Sequence, residues 1–233
     1  MTFATDLEAE TKSIFTAKWT ERDGLVVPEA KDVGLGADAV KLDGTVLYAD
    51  LAESTQLVDG YLPWFAADVY KAYLHSAARI IKHNGGEITA YDGDRIMAVF
   101  NSPTKNTSAA RAALGLNYFV VKILNPQVRQ QYPTIDPSFS IRHAAGIDTS
   151  PLFVARTGIR GSNDLVWVGK AANYAAKLCS LREGDYATWI TDRVFARLSN
   201  ELKTSSDGRA MWEQRTWTKT AMTVYRSNWY WVP

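Results

Sequence analysis

Cysteine is nearly absent: Cys179 is the one thiol in 233 residues. A lone thiol excludes an internal disulfide and a cysteine-rich metal site. It ends the run Ala175-Ala176-Lys177-Leu178-Cys179, which predicts a packed helix position for it. Long apolar runs are missing too. No stretch nears the roughly 20 residues that span a bilayer, and no secretory leader is visible. The expectation is a cytoplasmic protein with no membrane partner. Charge of one sign is also lacking, since 26 Lys and Arg against 25 Asp and Glu leave +1. That gives no basic footprint for DNA or RNA, so no nucleic-acid partner is expected. A balanced sum can still hide a local phosphate-binding patch. What remains is 46% hydrophobic and 22% charged, and the length suffices for one domain with a sizeable core. The eight tryptophans, clustered late in the chain, predict a large aromatic core or interface.

Periodicity predicts a helix over Asp6 to Trp19, with apolar positions at Leu7, Ile14, Phe15 and Trp19. From Glu21 to Asp43 the chain is rich in Gly, Pro and charge, and reads as an extended arm wrapping the domain or a partner subunit. Thr45 to Ala49 is a short β-prone run consistent with a buried strand that ends at Asp50. Leu51 to Thr55 reads as a tight loop, with Ser54 or Thr55 capping a short helix. A long helix follows from about Leu62 to His83, stopped by Gly85-Gly86. Glu87 to Tyr91 and Arg95 to Phe100 flank Asp92-Gly93, a preferred hairpin turn. A helix is expected over Thr107 to Ile123, then a Pro-punctuated loop over Asn125 to Pro137. Strands are expected at Ser138 to Ile147, Leu152 to Arg156 and Leu165 to Val168, and a helix at Ala171 to Leu181. A strand near Tyr186 to Ile190, a short helix near Asp192 to Leu198, and a terminal hairpin of Arg209 to Trp217 with Met222 to Trp231 complete the chain. The order is that of an α+β fold, a mostly antiparallel sheet covered by helices on one face.

Two aspartates carry the clearest chemistry. Asp50 ends a strand and Asp94 follows a hairpin turn, so the two carboxylates can converge at neighbouring strand ends. Paired carboxylates repel unless a cation lies between them, and hard oxygen ligands suit magnesium or manganese. Spacing alone also fits, and favours, Asp50 as a helix N-cap and Asp94 as a turn residue.

Three motifs in order change that balance. Val46-Leu47-Tyr48-Ala49-Asp50-Leu51-Ala52-Glu53-Ser54-Thr55 resembles the opening motif of class III nucleotidyl cyclases. Gly93-Asp94-Arg95-Ile96-Met97-Ala98-Val99-Phe100 resembles that family's second metal motif. Gly169-Lys170-Ala171-Ala172-Asn173-Tyr174-Ala175-Ala176-Lys177-Leu178 resembles its third, the Gly-x-x-x-Asn-x-Ala-x-Arg-Leu helix. The resemblance spans about Thr45 to Arg226. It implies two Mn2+ or Mg2+ ions per active site, held by Asp50, Asp94 and the Leu51 carbonyl. It implies phosphate contacts from loop amides at Ala52, Glu53, Ser54 and Thr55, and a two-metal cyclisation of a nucleoside triphosphate. It further implies a head-to-tail homodimer with shared active sites. Asn173 then orients the ribose of the partner's substrate, and Lys177 stands where the family usually has the arginine that stabilises the transferring phosphoryl. Lysine keeps that charge and loses the planar fork.

The base pocket departs from the purine cyclases. Their two base-reading positions fall here on Ala90 and Val166, and neither side chain can hydrogen-bond. With its Pro/Gly-rich arm and Trp-rich terminus, the chain resembles the bacterial pyrimidine cyclases of the Pycsar antiphage system. That resemblance implies UTP as the favoured substrate, with CTP as alternative, and a separate effector activated by the cyclic nucleotide. Tyr48 or Tyr91 is a candidate for bulk or a hydroxyl in the pocket; each also fits plain core packing. A purine cyclase and an inactive nucleotide-binding cyclase-homology domain remain the rival readings. On this reading residues 1–43 form the N-terminal helix and arm, and 44–233 the catalytic domain.

Overall fold

The computed structural model describes residues 2–218 and 220–233. Its organising element is the strand β2, Asp38–Ala52, which follows a helix α1, Phe3–Thr16, and a short strand β1, Thr20–Asp23. After β2 come α2, Ser54–Gly60, and α3, Pro63–His83. A hairpin of β3, Glu87–Asp92, and β4, Arg95–Phe100, follows. Next is α4, Lys105–Tyr118, running through a π-helical turn, Phe119–Leu124, into α5, Asn125–Gln131. β5, Arg142–Ile159, and β6, Ser162–Val168, lead into α6, Lys170–Cys179. β7, Thr188–Thr191, α7, Asp192–Ala196, and α8, Asn200–Lys203, precede a hairpin of β8, Glu213–Trp217, and β9, Met222–Ser227.

The sheet runs β3-β4-β2-β5-β7-β9-β8, with β1 on β2 and β6 on β5. Among the described residues every pairing is antiparallel except β1 with β2 and β5 with β7. Period-two alternation sorts β2 cleanly. Leu47, Ala49 and Leu51 join the core under α3 and α4, while Val40, Leu42 and Val46 join a second cluster with Ala171, Ala172 and Ala175 of α6. The second face is therefore covered too, by α6 and the arm. α6 comes very close at Gly146, where an added Cβ would lie 2.2 Å from the Ala175 carbonyl oxygen and 2.4 Å from the Cys179 amide nitrogen. Only glycine permits that approach.

The long helix, the first hairpin, β6 and α6 lie where the sequence places them. Four stretches differ. The arm wraps its own domain, one of its two expected courses: β1 pairs with the start of β2, Arg22 bridges Asp38 at 2.7 Å, and Val33 is buried against the second cluster. What differs is the strand after it, because β2 begins at Asp38 rather than Thr45. Neither Ser54 nor Thr55 caps α2; Glu53, at φ 61, takes the N-cap position without a side-chain bond. The expected loop from Asn125 is helical to Gln131. The π turn precedes Pro126 and loosens the ladder that a proline would break. There the Asn125 side chain donates to the carbonyls of Val120 and Ile141 and accepts from the Ile141 amide. Finally, β5 is one strand, not two. Pro151 falls between the stretch paired with β7, which ends at Ile147, and the stretch paired with β6, which begins at Phe153. A proline is tolerated where one flank is unpaired.

Candidate active site

β2 delivers Asp50 to the face shared by Tyr48 and Val46, and β4 places Arg95 directly opposite Asp50 in the ladder. The turn between β3 and β4 uses Gly93 at φ 61, a left-handed position suited to glycine, and sets Asp94 just before Arg95. Asp50 is 8% exposed. Its Oδ2 accepts from Arg95 Nη2 at 3.3 Å and from Arg182 Nη2 at 3.2 Å. Arg182 Nη2 also lies 3.5 Å from the Leu51 carbonyl oxygen. The Asp94 Oδ2 is buried and has no hydrogen-bond partner among the described residues.

The electrostatics follow from that crowding. Burial, and next the charge of Asp94, hold the Asp50 carboxyl above the ordinary carboxylate range, against the pull of Arg95 and Arg182. The two aspartates therefore feel each other, as their sequence positions suggest. An orphaned buried carboxylate oxygen beside a second carboxylate and the Leu51 carbonyl, which Arg182 approaches, is a donor set that fits a hard divalent cation. Among the described residues no cluster of three or more His, Cys, Asp or Glu forms a metal cage. The fit thus rests on two carboxylates and a carbonyl, leaving room for ligand oxygens from a substrate.

Beyond Asp50 the chain turns at Glu53 into α2. No side chain caps that helix, so its first amides are left to meet an anion. Beside them a cavity of about 420 Å3 opens toward the α3 side, lined by Glu53, Gln56, Tyr61, Val69, Phe139 and Arg142 among others, with neither Asp50 nor Asp94 in its wall. Tyr48 is half-buried on the Asp50 face, packed against the same cluster as Ala90. Burial raises its phenol above the usual range, so it is neutral. Tyr91 is exposed.

The remaining sequence-predicted positions lie elsewhere. Asn173 and Lys177 are four apart on the exposed face of α6, opposite the alanines that pack on the sheet. Among the described residues no hydrogen bond or ion pair joins either to Asp50 or Asp94; Lys177 Nζ rests 5.9 Å from the centre of the Tyr174 ring. Ala90 is half-buried on β3, whereas Val166, 38% exposed, sits on β6 with its side chain turned from the face of Leu165 and Trp167. β3 lies beyond β4 and β6 beyond β5, on opposite sides of β2. Two arginines went unflagged in the sequence. Arg95 sits inside the second motif; Arg182 lies in the link after α6, where no spacing rule points to it.

No family model matches the chain. Curated relatives do. A uridylate cyclase of Xanthomonas perforans is 52% identical over 220 residues, covering 94% of this chain and 93% of the relative. One of Burkholderia cepacia is 45% identical over 234 residues, covering all of both chains. In three dimensions, the guanylyl cyclase Cya2 superposes with a TM-score of 0.65 at 21% identity, covering 83% of this chain and 95% of that one. The adenylyl cyclase CyaB from P. aeruginosa gives 0.63 at 20% identity, covering 81% and 95%.

Proposed function

This chain belongs to the uridylate cyclases and is a nucleotide cyclase with the class III catalytic fold, and we propose that it converts UTP to 3′,5′-cyclic UMP and pyrophosphate as the messenger synthase of an antiphage response. The observation that carries the substrate is the 40–52% identity to three uridylate cyclases over nearly the whole chain. The residues agree with it: Ala90 offers no purine-reading side chain, and Tyr48 is half-buried on the same face as Asp50.

In the reaction the ribose 3′-hydroxyl oxygen forms a new bond to the α-phosphorus, loses its proton, and the bond to the β-phosphate oxygen breaks. Asp50, Asp94 and the Leu51 carbonyl would hold two manganese or magnesium ions. Such ions supply acidity at the hydroxyl and charge neutralisation at the triphosphate. The amides of Ala52, Glu53, Ser54 and Thr55 bind phosphate oxygens. Arg95, pinned opposite Asp50 by strand pairing, keeps that carboxylate aimed at the site. In a head-to-tail homodimer, a second copy contributes Asn173 to orient the ribose and Lys177 to stabilise the charge developing on the phosphoryl. The exposed position of both on α6 supports that sharing. The enzyme acts in the cytoplasm, and its product activates a separate effector. Ala90 stands at the base end, whereas Val166, on β6 and turned from the cluster that holds Ala90, is not brought to it within one chain; the arm ahead of β2 serves the catalytic domain.

The test is a competition. ATP, GTP, CTP and UTP are offered at equal concentration with manganese, and the cyclic products are identified. Cyclic UMP dominates if the proposal holds. Dominant cyclic CMP corrects the base, and dominant cyclic AMP or GMP defeats the pyrimidine reading.

A further inference from the structure

Arg182 touches two of the three chain groups that the metal reading needs. Its Nη2 donates to Asp50 Oδ2 at 3.2 Å and approaches the Leu51 carbonyl oxygen at 3.5 Å. Its Nη1 is tied to the end of α6, donating to the carbonyls of Cys179 and, at 3.2 Å, Leu181. The planar fork is thus spread between the last turn of α6 and the metal-ligand positions of the same chain. Arg95 reaches the same Asp50 oxygen at 3.3 Å, but it is fixed within the β4 ladder. Arg182 hangs from a link after a helix; the two side chains are equally exposed, 31% for Arg182 and 32% for Arg95, so what sets Arg182 apart is its backbone, which lies outside the sheet ladder.

The arrangement is also incomplete as a final state. Two guanidinium groups serve one carboxylate oxygen, while the buried Asp94 Oδ2 receives no donor. A guanidinium donates along fixed directions; a divalent ion can be reached by oxygens from several sides at once.

We infer that Arg182 is a positioning residue, a tethered cation that holds Asp50 and Leu51 in place and is exchanged for the divalent ion when the site loads. The inference rests on the proposed metal role of Asp50, Leu51 and Asp94. Arg182 keeps the ligand atoms together and their charge balanced, so that the site does not collapse or bind stray cations tightly. Exchange sets the metal affinity of the nucleotide-free protein low, and loading then depends on metal arriving with the triphosphate. Release of Arg182 also frees the end of α6, the helix whose Asn173 and Lys177 serve the second copy. Metal loading at one site is thereby linked to the helix used by the other.

The experiment titrates manganese into the nucleotide-free full chain and reads free ion by electron paramagnetic resonance. Arg182→Gln keeps a donor for the helix-end carbonyls and drops the charge; Arg182→Ala drops both. Both should bind manganese on the order of 10-fold more tightly than the parent, the scale of one charge-assisted hydrogen bond. Arg182→Lys, which keeps the charge, should stay near the parent. A residue that merely braced the loop would give the opposite sign, because its loss would scatter the ligands and weaken binding. Unchanged or weaker affinity in both Arg182→Gln and Arg182→Ala overturns the inference. If instead the parent with UTP binds no more manganese than Asp94→Ala with UTP, the metal assignment itself falls, and the inference with it.

Discussion

The two faces of β2 are made by one strand and part ways at Asp50. Leu47, Ala49 and Leu51 alternate into a dry core of aliphatic and aromatic groups under α3 and α4. Tyr48 and Asp50, one step out of phase, turn to a face that holds Arg95, Arg182, and an orphaned Asp94 oxygen. The first face stabilises by area removed from water. The second does the same along Val40, Leu42 and Val46 but gives stability away at its Asp50 end, where burial disfavours the carboxylate charge and Asp94 adds to that cost. A period of two lets a single strand anchor the fold and carry the chemistry without either compromising the other.

Substitution on the polar face is the strongest way to break this contrast. Asp50→Ala and Asp94→Ala should each lower cyclic-product formation on the order of 10^3-fold or more, the scale of losing a charge-organising group at a phosphoryl centre. Melting without added metal should not fall, since each change removes a buried or strained carboxylate. Near-normal turnover in either variant would sink the two-aspartate site. Mixing Asp50→Ala chains with Asn173→Ala chains extends the test to the second copy. Half of a statistical mixture is heterodimer with one complete site of two, so turnover should return to roughly a quarter of the parent value. No recovery despite demonstrated subunit exchange would refute the shared site.

The apolar face should fail in the reverse manner. Phe100 is 1% exposed in the core under α3. Phe100→Ala should cost about 3–5 kcal/mol in denaturant unfolding, with turnover per folded molecule nearly unchanged. A variant that keeps its stability but loses turnover would erase the division between the faces. Gly146→Ala sits between the two cases. Its new Cβ meets backbone atoms of α6, which no rotamer change can relieve, so the helix must shift. About 1–3 kcal/mol of stability should go. Turnover should fall on the order of 10-fold or more, because Asn173 and Lys177 move with the helix. Turnover that tracks the folded fraction alone would show that the placement of α6 is not critical.

Much of the candidate site's placement was legible because it is local. The strand that carries Asp50, the hairpin that carries Asp94, and the alanine face of α6 each declare themselves within about ten residues, although the strand runs on to Ala52 instead of stopping at Asp50 and the turn is Gly93-Asp94 rather than Asp92-Gly93. What stayed hidden depends on distant partners. β5 reads as two strands around Pro151, because only the gap between β6 and β7 makes a proline harmless there. The helix through Pro126 needs the Asn125 side chain and its bonds to Ile141, sixteen residues on. The arm reads as extended, but what it wraps, its own domain or a partner, is settled only by β2 pairing with it. Arg182 reaches Asp50 across 132 positions, and no periodicity encodes such a contact. Val166 and Ala90 were matched by motif offset, which says nothing of the separation of β6 and β3 in the sheet.

The smallest expected effect sharpens the contrast from within the apolar face, where His143 packs against Tyr73. Its Nδ1 lies 3.4 Å from the Tyr73 hydroxyl, and its Nε2 is buried without a partner. Burial, and next the charge of Arg182, push its pKa down to about 3. The folded chain therefore keeps this imidazole neutral, while the unfolded chain protonates it below about pH 6.5. Above that pH the group contributes no pH dependence. As pH falls from 6.5 toward 3 the unfolded state binds the extra proton, so stability drops by up to about 1.4 kcal/mol per unit. The buried Asp50 and Asp148 carboxyls, both raised mainly by burial, work in the opposite direction. They take up protons in the fold before the unfolded chain does, which partly masks the loss at the acid end. Comparing slopes removes that overlap. Denaturant unfolding of the parent and of His143→Asn between pH 7.5 and 5 should give a flatter profile for the variant below pH 6.5, whatever its absolute stability. Equal slopes in that window would mean that the imidazole protonates within the fold, and that the dry face is less closed at its His143 end than the packing of Tyr73 against it indicates.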